Sequence, residues 1–188
     1  TRRSSDLLEE AQIIEELDTH GARADQLTEL VAEVGNLEIS QDGSPAAKFD
    51  EITGKLEALG SKYRDVFDEY RLSETAVAAI HPLFRQVMEE WDPLKEPTLL
   101  VSSLRRLQPL LLRKDSEEFS LQRQSTSPYE TMMHTLWFPR VRSVLVNEWN
   151  VADPSPATSL IASWKDVLPP FVYANILDQA IVPKLTAG

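Results

Sequence analysis

The sequence predicts an all-α protein: an N-terminal antiparallel coiled-coil hairpin followed by a proline-kinked helical bundle or stack. Three observations carry this. Apolar residues recur at intervals of three and four along most of the chain, the period of a helix face rather than of a strand. Ser44-Pro45, Ser127-Pro128 and Ser155-Pro156 each open such a run, with serine placed to cap and proline at the first helical position, where no N–H is needed. Further prolines, Pro82, Pro109 and Pro139 among them, fall inside the runs, where a ring kinks a helix without abolishing it.

Residues 4–39 are expected to form a long first helix. Ile13, Leu17, His20, Ala24, Leu27, Val31 and Val34 trace a seam along it, and its flanks are charged as in a coiled coil. His20 and Ala24 are weak seam residues, and Gly21 lowers helix propensity by about 1 kcal/mol relative to alanine. Residues 40–44 (SQDGS) make a turn. A second helix follows, with Phe49, Ile52, Leu56, Leu59, Tyr63, Val66 and Tyr70 as its seam. A short connection sets consecutive helices side by side and antiparallel, so residues 1–72 are expected to form an acidic hairpin arm. Two helices alone leave apolar surface over. Ile13, Leu17, Leu27, Val31, Val34, Phe49, Ile52, Leu56, Leu59 and Tyr63 are therefore the candidate partner-binding residues.

Residues 73–188 are expected to form the body. Ser73 caps a helix through Ala76, Ile80, Phe84, Val87 and Trp91, kinked at Pro82 and ended by Asp92-Pro93. Pro97 starts another, Leu99 to Leu107, which Pro109 breaks or kinks before Leu110-Leu111-Leu112. The polar stretch from Lys114 to Thr126 is expected to be a loop. Ser127 to Leu185 then holds three helices, the first opened by a capping box of Ser127 and Glu130. Trp91, Trp137, Pro139, Trp149, Trp164 and Leu177 are the candidate structural core. The indole N–H groups of Trp91 and Trp149 can meet partners beside Asp92 and Asn150. His81-Pro82 and Phe138-Pro139, each followed by a tryptophan, hint at a helical repeat.

The composition narrows function by exclusion. Net charge is −11, and it is split unevenly: residues 1–80 hold 18 acids and 8 bases, the remainder 12 and 11. That is not the footprint of a protein that wraps duplex nucleic acid. Without cysteine there is no disulfide, thiolate zinc site or thiol nucleophile. His20, His81 and His134 fit no metal-ligand spacing, and there is no G-x-S-x-G or phosphate-cradling G-x-x-x-x-G-K. Neighbouring pairs such as Glu15 and Glu16 are solvated faces rather than catalytic dyads. No enzyme, cofactor or metal is expected. No apolar run reaches bilayer-spanning length, so no membrane partner is expected. A first residue other than methionine, Thr1, predicts a fragment of a longer protein. Basic residues cluster in the body at Arg105/Arg106, Arg113/Lys114, Arg123 and Arg140/Arg142.

Three motifs in order add an identity. Glu90-Trp91-Asp92-Pro93-Leu94-Lys95 comes first, then Leu136-Trp137-Phe138-Pro139-Arg140-Val141-Arg142 through Trp149. Trp164 to Leu168 follows, with Asn175-Ile176-Leu177-Asp178-Gln179 and Val182-Pro183-Lys184-Leu185. Together they resemble the GC-rich-sequence DNA-binding-factor-like domain of the tuftelin-interacting protein 11 family, whose fungal members are spliceosome disassembly factors. The motifs span about residues 63 to 185. The resemblance implies a non-enzymatic nuclear scaffold that binds a companion subunit and late spliceosomal proteins. It also implies a DEAH-box RNA helicase, recruited and activated through a glycine-rich G-patch to dismantle the intron-lariat spliceosome. The six scattered glycines here form no G-patch, which places that activity outside this stretch, and the domain is expected to run on past Gly188. Direct nucleic-acid binding is not expected, despite the domain's name. Two rival expectations remain: an RNA-binding helical module using Arg105/Arg106 and Arg140/Arg142, and a self-associating coiled-coil structural protein.

Overall fold

Local capping chemistry sets the helix starts in the structure, a computed structural model that describes residues 2–70, 72–111 and 126–187. Helix α1 (Arg2–Gly35) is continuous. It ends before a turn in which Gly43 takes φ +116°, a conformation that only glycine adopts without strain. Ser44 then caps α2 (Pro45–Lys62), its Oγ accepting from the Ala47 N–H at 3.3 Å. Tyr63 interrupts the helix, and α3 (Arg64–Glu69) continues after it. Next come α4 (Ser73–Glu90) and α5 (Val101–Leu111). Ser127 and Glu130 form the full capping box of α6 (Pro128–Met132). Then follow α7 (Phe138–Asn147), α8 (Ser155–Trp164), α9 (Pro170–Ile176) and α10 (Val182–Ala187). The described residues are all-helical, with no strand.

The expected pairing of the first two helices along their length is not the arrangement found. The buried residues of α2, Phe49, Ile52, Thr53, Leu56, Leu59 and Gly60, face α4 and α5. At 100° per residue they cover an arc of about 120°, wide enough for two neighbours. Phe49 packs on Phe84 of α4 with ring centroids 6.0 Å apart. Polar bonds fix α5: Ser103 donates to Asp50 at 2.8 Å, and Arg106 pairs with Glu57 at 2.6 Å. Gly60 permits the close approach, since a Cβ there would lie 2.5 Å from a Leu110 methyl. One core runs without interruption from Leu30 to Ala180. It crosses the expected boundary at residue 72, because α2 is a layer of the body.

Among the described residues, those of helix α1 that pack on that body lie in its last third. Leu30 is fully buried, Leu27 and Val34 pack partly against the core, and the neighbours are α3 and α4. The inward face therefore carries Leu30, while Val31, expected in the seam, points outward.

Several starts differ from expectation. Leu72, not Ser73, occupies the cap of α4, without a side-chain bond. Pro97 lies in a non-helical connection, and α5 begins only after Leu100, whose φ is +64°. That left-handed backbone costs about 1–2 kcal/mol and is held by the burial of the Leu100 side chain. Pro109 stays inside α5 through Leu111. Asp153, rather than Ser155, bonds the first turn of α8, its carboxylate accepting from the Ser155 N–H. The expected loop lies outside the described residues up to position 125, as do Leu112, Arg113, Lys114 and Arg123.

Two π-helical turns give the body its internal echo. They span Met133–Trp137 and Leu177–Ile181, and each is followed by one residue and then a proline, Pro139 or Pro183. The Phe138 N–H donates to the Met133 carbonyl, and that of Val182 to the Leu177 carbonyl, each five residues back. In an ordinary α-helix a proline ring collides with the carbonyl four residues earlier. The wider turn moves that carbonyl aside, and the chain runs on in helical form. Pro82 has no such turn. The echo therefore links Pro139 with Pro183, not with Pro82.

Candidate partner-binding surface

Four tryptophans organise the body, and all are buried. Trp164 stands between Trp91 and Trp137, with ring centroids 5.4 Å from each. Its Nε1 donates to the Pro97 carbonyl at 2.8 Å. Trp91 Nε1 donates to the Glu96 carbonyl and Trp149 Nε1 to that of Asp153, so both indoles find backbone oxygens beyond Asp92 and Asn150. The Asp92 carboxylate folds the connection by accepting from the N–H groups of Leu94 and Lys95. Hydrogen bonding to Lys95, and to these amides, holds its pKa below the usual carboxylate range. Arg140 donates twice to the Trp91 carbonyl, at 2.5 and 2.9 Å, which caps the end of α4. Lys184 does the same for α7 at Leu145 and Val146. Tyr129 reaches across to the Val167 carbonyl at 2.6 Å, and burial pushes its hydroxyl pKa up.

The candidate core residues are thus placed unequally. The tryptophans lie inside, Leu177 is half-buried, and Pro139 is exposed on the outer side of its helix. The basic pairs are also divided. Arg106 and Arg140 are engaged within the chain, whereas Arg105 and Arg142 are exposed. His134 stacks on Phe138 at 5.6 Å. No group of His, Cys, Asp or Glu fit to hold a metal occurs among the described residues. No helix among them is long and apolar enough to cross a membrane.

The candidate partner-binding residues separate by helix. Phe49, Ile52, Leu56, Leu59 and Tyr63 lie in the chain's own core, so α2 presents none of them to a partner. Leu27 and Val34 help to seat α1. Ile13, Leu17 and Val31 remain exposed, joined by Leu7, Leu8 and Ile14, which periodicity from Ile13 onward had missed. Their signal was present as Leu7 and Ile14 one heptad apart.

At the seat of α1, Glu33 accepts from Lys62 at 2.9 Å and from Tyr63 at 2.9 Å. These bonds, Lys62 first, hold its carboxyl below the usual range. A depressed carboxylate stabilises the fold above its unfolded pKa, and that stabilisation disappears as pH falls through the folded value. The seat should therefore loosen on acidification below about pH 4. Methyl NMR shifts of Leu30 and Val34 will follow this, and in Glu33→Gln the carboxylate-linked change will be absent. Further out, a Cβ on Gly21 would meet nothing within 4 Å. Gly21→Ala should raise local helix stability by about 1 kcal/mol, seen as slower amide exchange in the middle of α1.

These features define an all-helical packing domain that carries an exposed acidic helix. Residues 49–188 match the model of the GC-rich sequence DNA-binding factor-like protein family, and the chain belongs to that family. Among curated proteins it is similar to tuftelin-interacting protein 11. It is 32% identical to the Macaca mulatta and Homo sapiens proteins over 147 residues, 77% of this chain and 17% of each relative. Against the Xenopus tropicalis protein it is 32% identical over 133 residues, 69% of this chain and 16% of the relative. The match thus spans about a sixth of the length of these relatives.

Proposed function

We propose that this chain is a non-catalytic scaffold segment of a splicing-related factor, acting in the nucleus in disassembly of the intron-lariat spliceosome. The body docks on late spliceosomal proteins. Helix α1 takes a companion subunit, and a DEAH-box RNA helicase is recruited through a G-patch elsewhere in the protein. Family membership supports the setting. The observation that carries the scaffold role is the long helix α1, seated by Leu30 and bare beyond it. A helix fixed at one end and apolar on an exposed face is a surface for another chain. The coiled coil expected within the chain becomes, on this reading, one formed with a partner.

The RNA-binding alternative draws on the exposed Arg105 and Arg142. Arg106 and Arg140 weigh against it, being held by Glu57, Asp50 and the Trp91 carbonyl. Affinity capture of the chain from splicing-competent nuclear extract tests the main reading. Late spliceosomal proteins and excised intron lariat should be enriched over a control lacking the chain. Their absence overturns the docking role. A salt-dependent affinity for purified RNA without those proteins would favour the alternative.

A further inference from the structure

Leu7, Ile14 and Leu17 are 66%, 62% and 66% exposed. At 100° per residue they share with Ile13 an arc of about 120°. The exposed Ala24 and Val31 carry the line on toward the body, giving a stripe about 36 Å long. Its centre lies nearly half a turn around the helix from Leu30, so filling it leaves Leu30 seated. Between residues 7 and 22 the chain carries five carboxylates and no Lys or Arg. Glu9 and Glu16 flank one edge of the stripe, Asp18 and Asp25 the other, and Glu10 falls within it, all exposed.

Resting on the scaffold reading above, we propose that this stripe receives an amphipathic helix of another protein, one with an apolar seam and flanks rich in Lys and Arg. The charges select that occupant. A second copy laid parallel sets the same carboxylates against one another. Laid antiparallel, it sets them against a stretch in which Arg23 is the single basic residue between positions 15 and 33. Like charges along a helical seam oppose pairing, and opposite ones direct it. A basic helix turns each flanking carboxylate from a repulsive contact into an attractive one. A nucleic-acid backbone meets the same repulsion as the second copy.

The probes are two designed peptides of about four heptads with identical leucine seams, one flanked by Lys and Arg and the other by Glu. Fluorescence anisotropy measures their binding to the whole chain and to the variant Leu7→Ala/Ile14→Ala/Leu17→Ala. These side chains are exposed, so the variant keeps its fold, which circular dichroism verifies. The basic peptide should bind, the acidic one should not, and the variant should lose at least about tenfold in affinity. Raising salt should weaken binding several-fold. Equal binding of both peptides, or undiminished binding to the variant, overturns the proposal. So does light scattering that shows the chain alone dimerising through the stripe. No splicing protein enters these measurements, so the scaffold reading and this inference fail separately.

Discussion

Replacing Trp164 by alanine will destabilise the body by about 3–5 kcal/mol. Trp164 touches Trp91 on one side and Trp137 on the other, is fully buried, and anchors the Pro97 carbonyl. Its removal leaves a cavity at the junction of α4, α8 and the first π turn, and an unmet carbonyl besides. Native domains are stable by about 5–15 kcal/mol in all, so the variant will unfold at much lower urea. An unchanged urea midpoint would show that Trp164 is not the hub described. A milder pair refines the test. Trp164→Phe loses the bond to Pro97, whereas Trp137 Nε1 has no acceptor among the described residues. Trp164→Phe should therefore cost more than Trp137→Phe, by about 1 kcal/mol. The opposite order would mean that the indole bond contributes little.

Leu30→Ala is expected to cost about 2–5 kcal/mol, but to spend it locally. Leu30 is the one fully buried side chain among those described in α1. Around it, among the described contacts, Leu27, Val34 and the Glu33 bonds hold the helix to the body. Losing it should free α1 while α2, α4 and α5 stay packed, since their contacts do not pass through it. Hydrogen exchange will separate these outcomes: protection falls in residues 24–35 and persists in α4. Uniform loss of protection would mean that α1 and the body unfold together. Leu17→Ala, altering an exposed residue, should stay within about 0.5 kcal/mol.

The contrast between Leu30 and Leu17 also shows what the sequence could tell. Periodicity marks which face of a helix is apolar, not what covers it. The α2 stripe was legible residue by residue, yet its two-helix width, which points to α4 and α5 rather than α1, shows only when angles are assigned. A heptad template ran one seam through Val31. The real helix keeps separate inward and outward faces, and its inward face passes through Leu30. Ser44 and Ser127 were legible because capping is local chemistry. The connection between Trp91 and Leu100 was not, because its bonds end on backbone carbonyls that no side-chain spacing records. The π turns were hidden for a similar reason: a proline inside a helix announces a kink, not the extra residue that accommodates it. Of the candidate surface, Ile13 and Leu17 are exposed in the structure, but the sequence could not separate them from the α2 residues that fold inward.

The bare half of α1 also has an unusual relation to proteolysis. Between Arg3 and Arg23 it contains no residue after which trypsin cuts. An enzyme specific for glutamate meets Glu9, Glu10, Glu15 and Glu16, all exposed. Cleavage requires the helix to open locally. The ratio of the two digestion rates thus becomes a clock for fraying at that end, read while the body stays intact. A helix laid along the stripe would slow that clock without adding a single covalent bond.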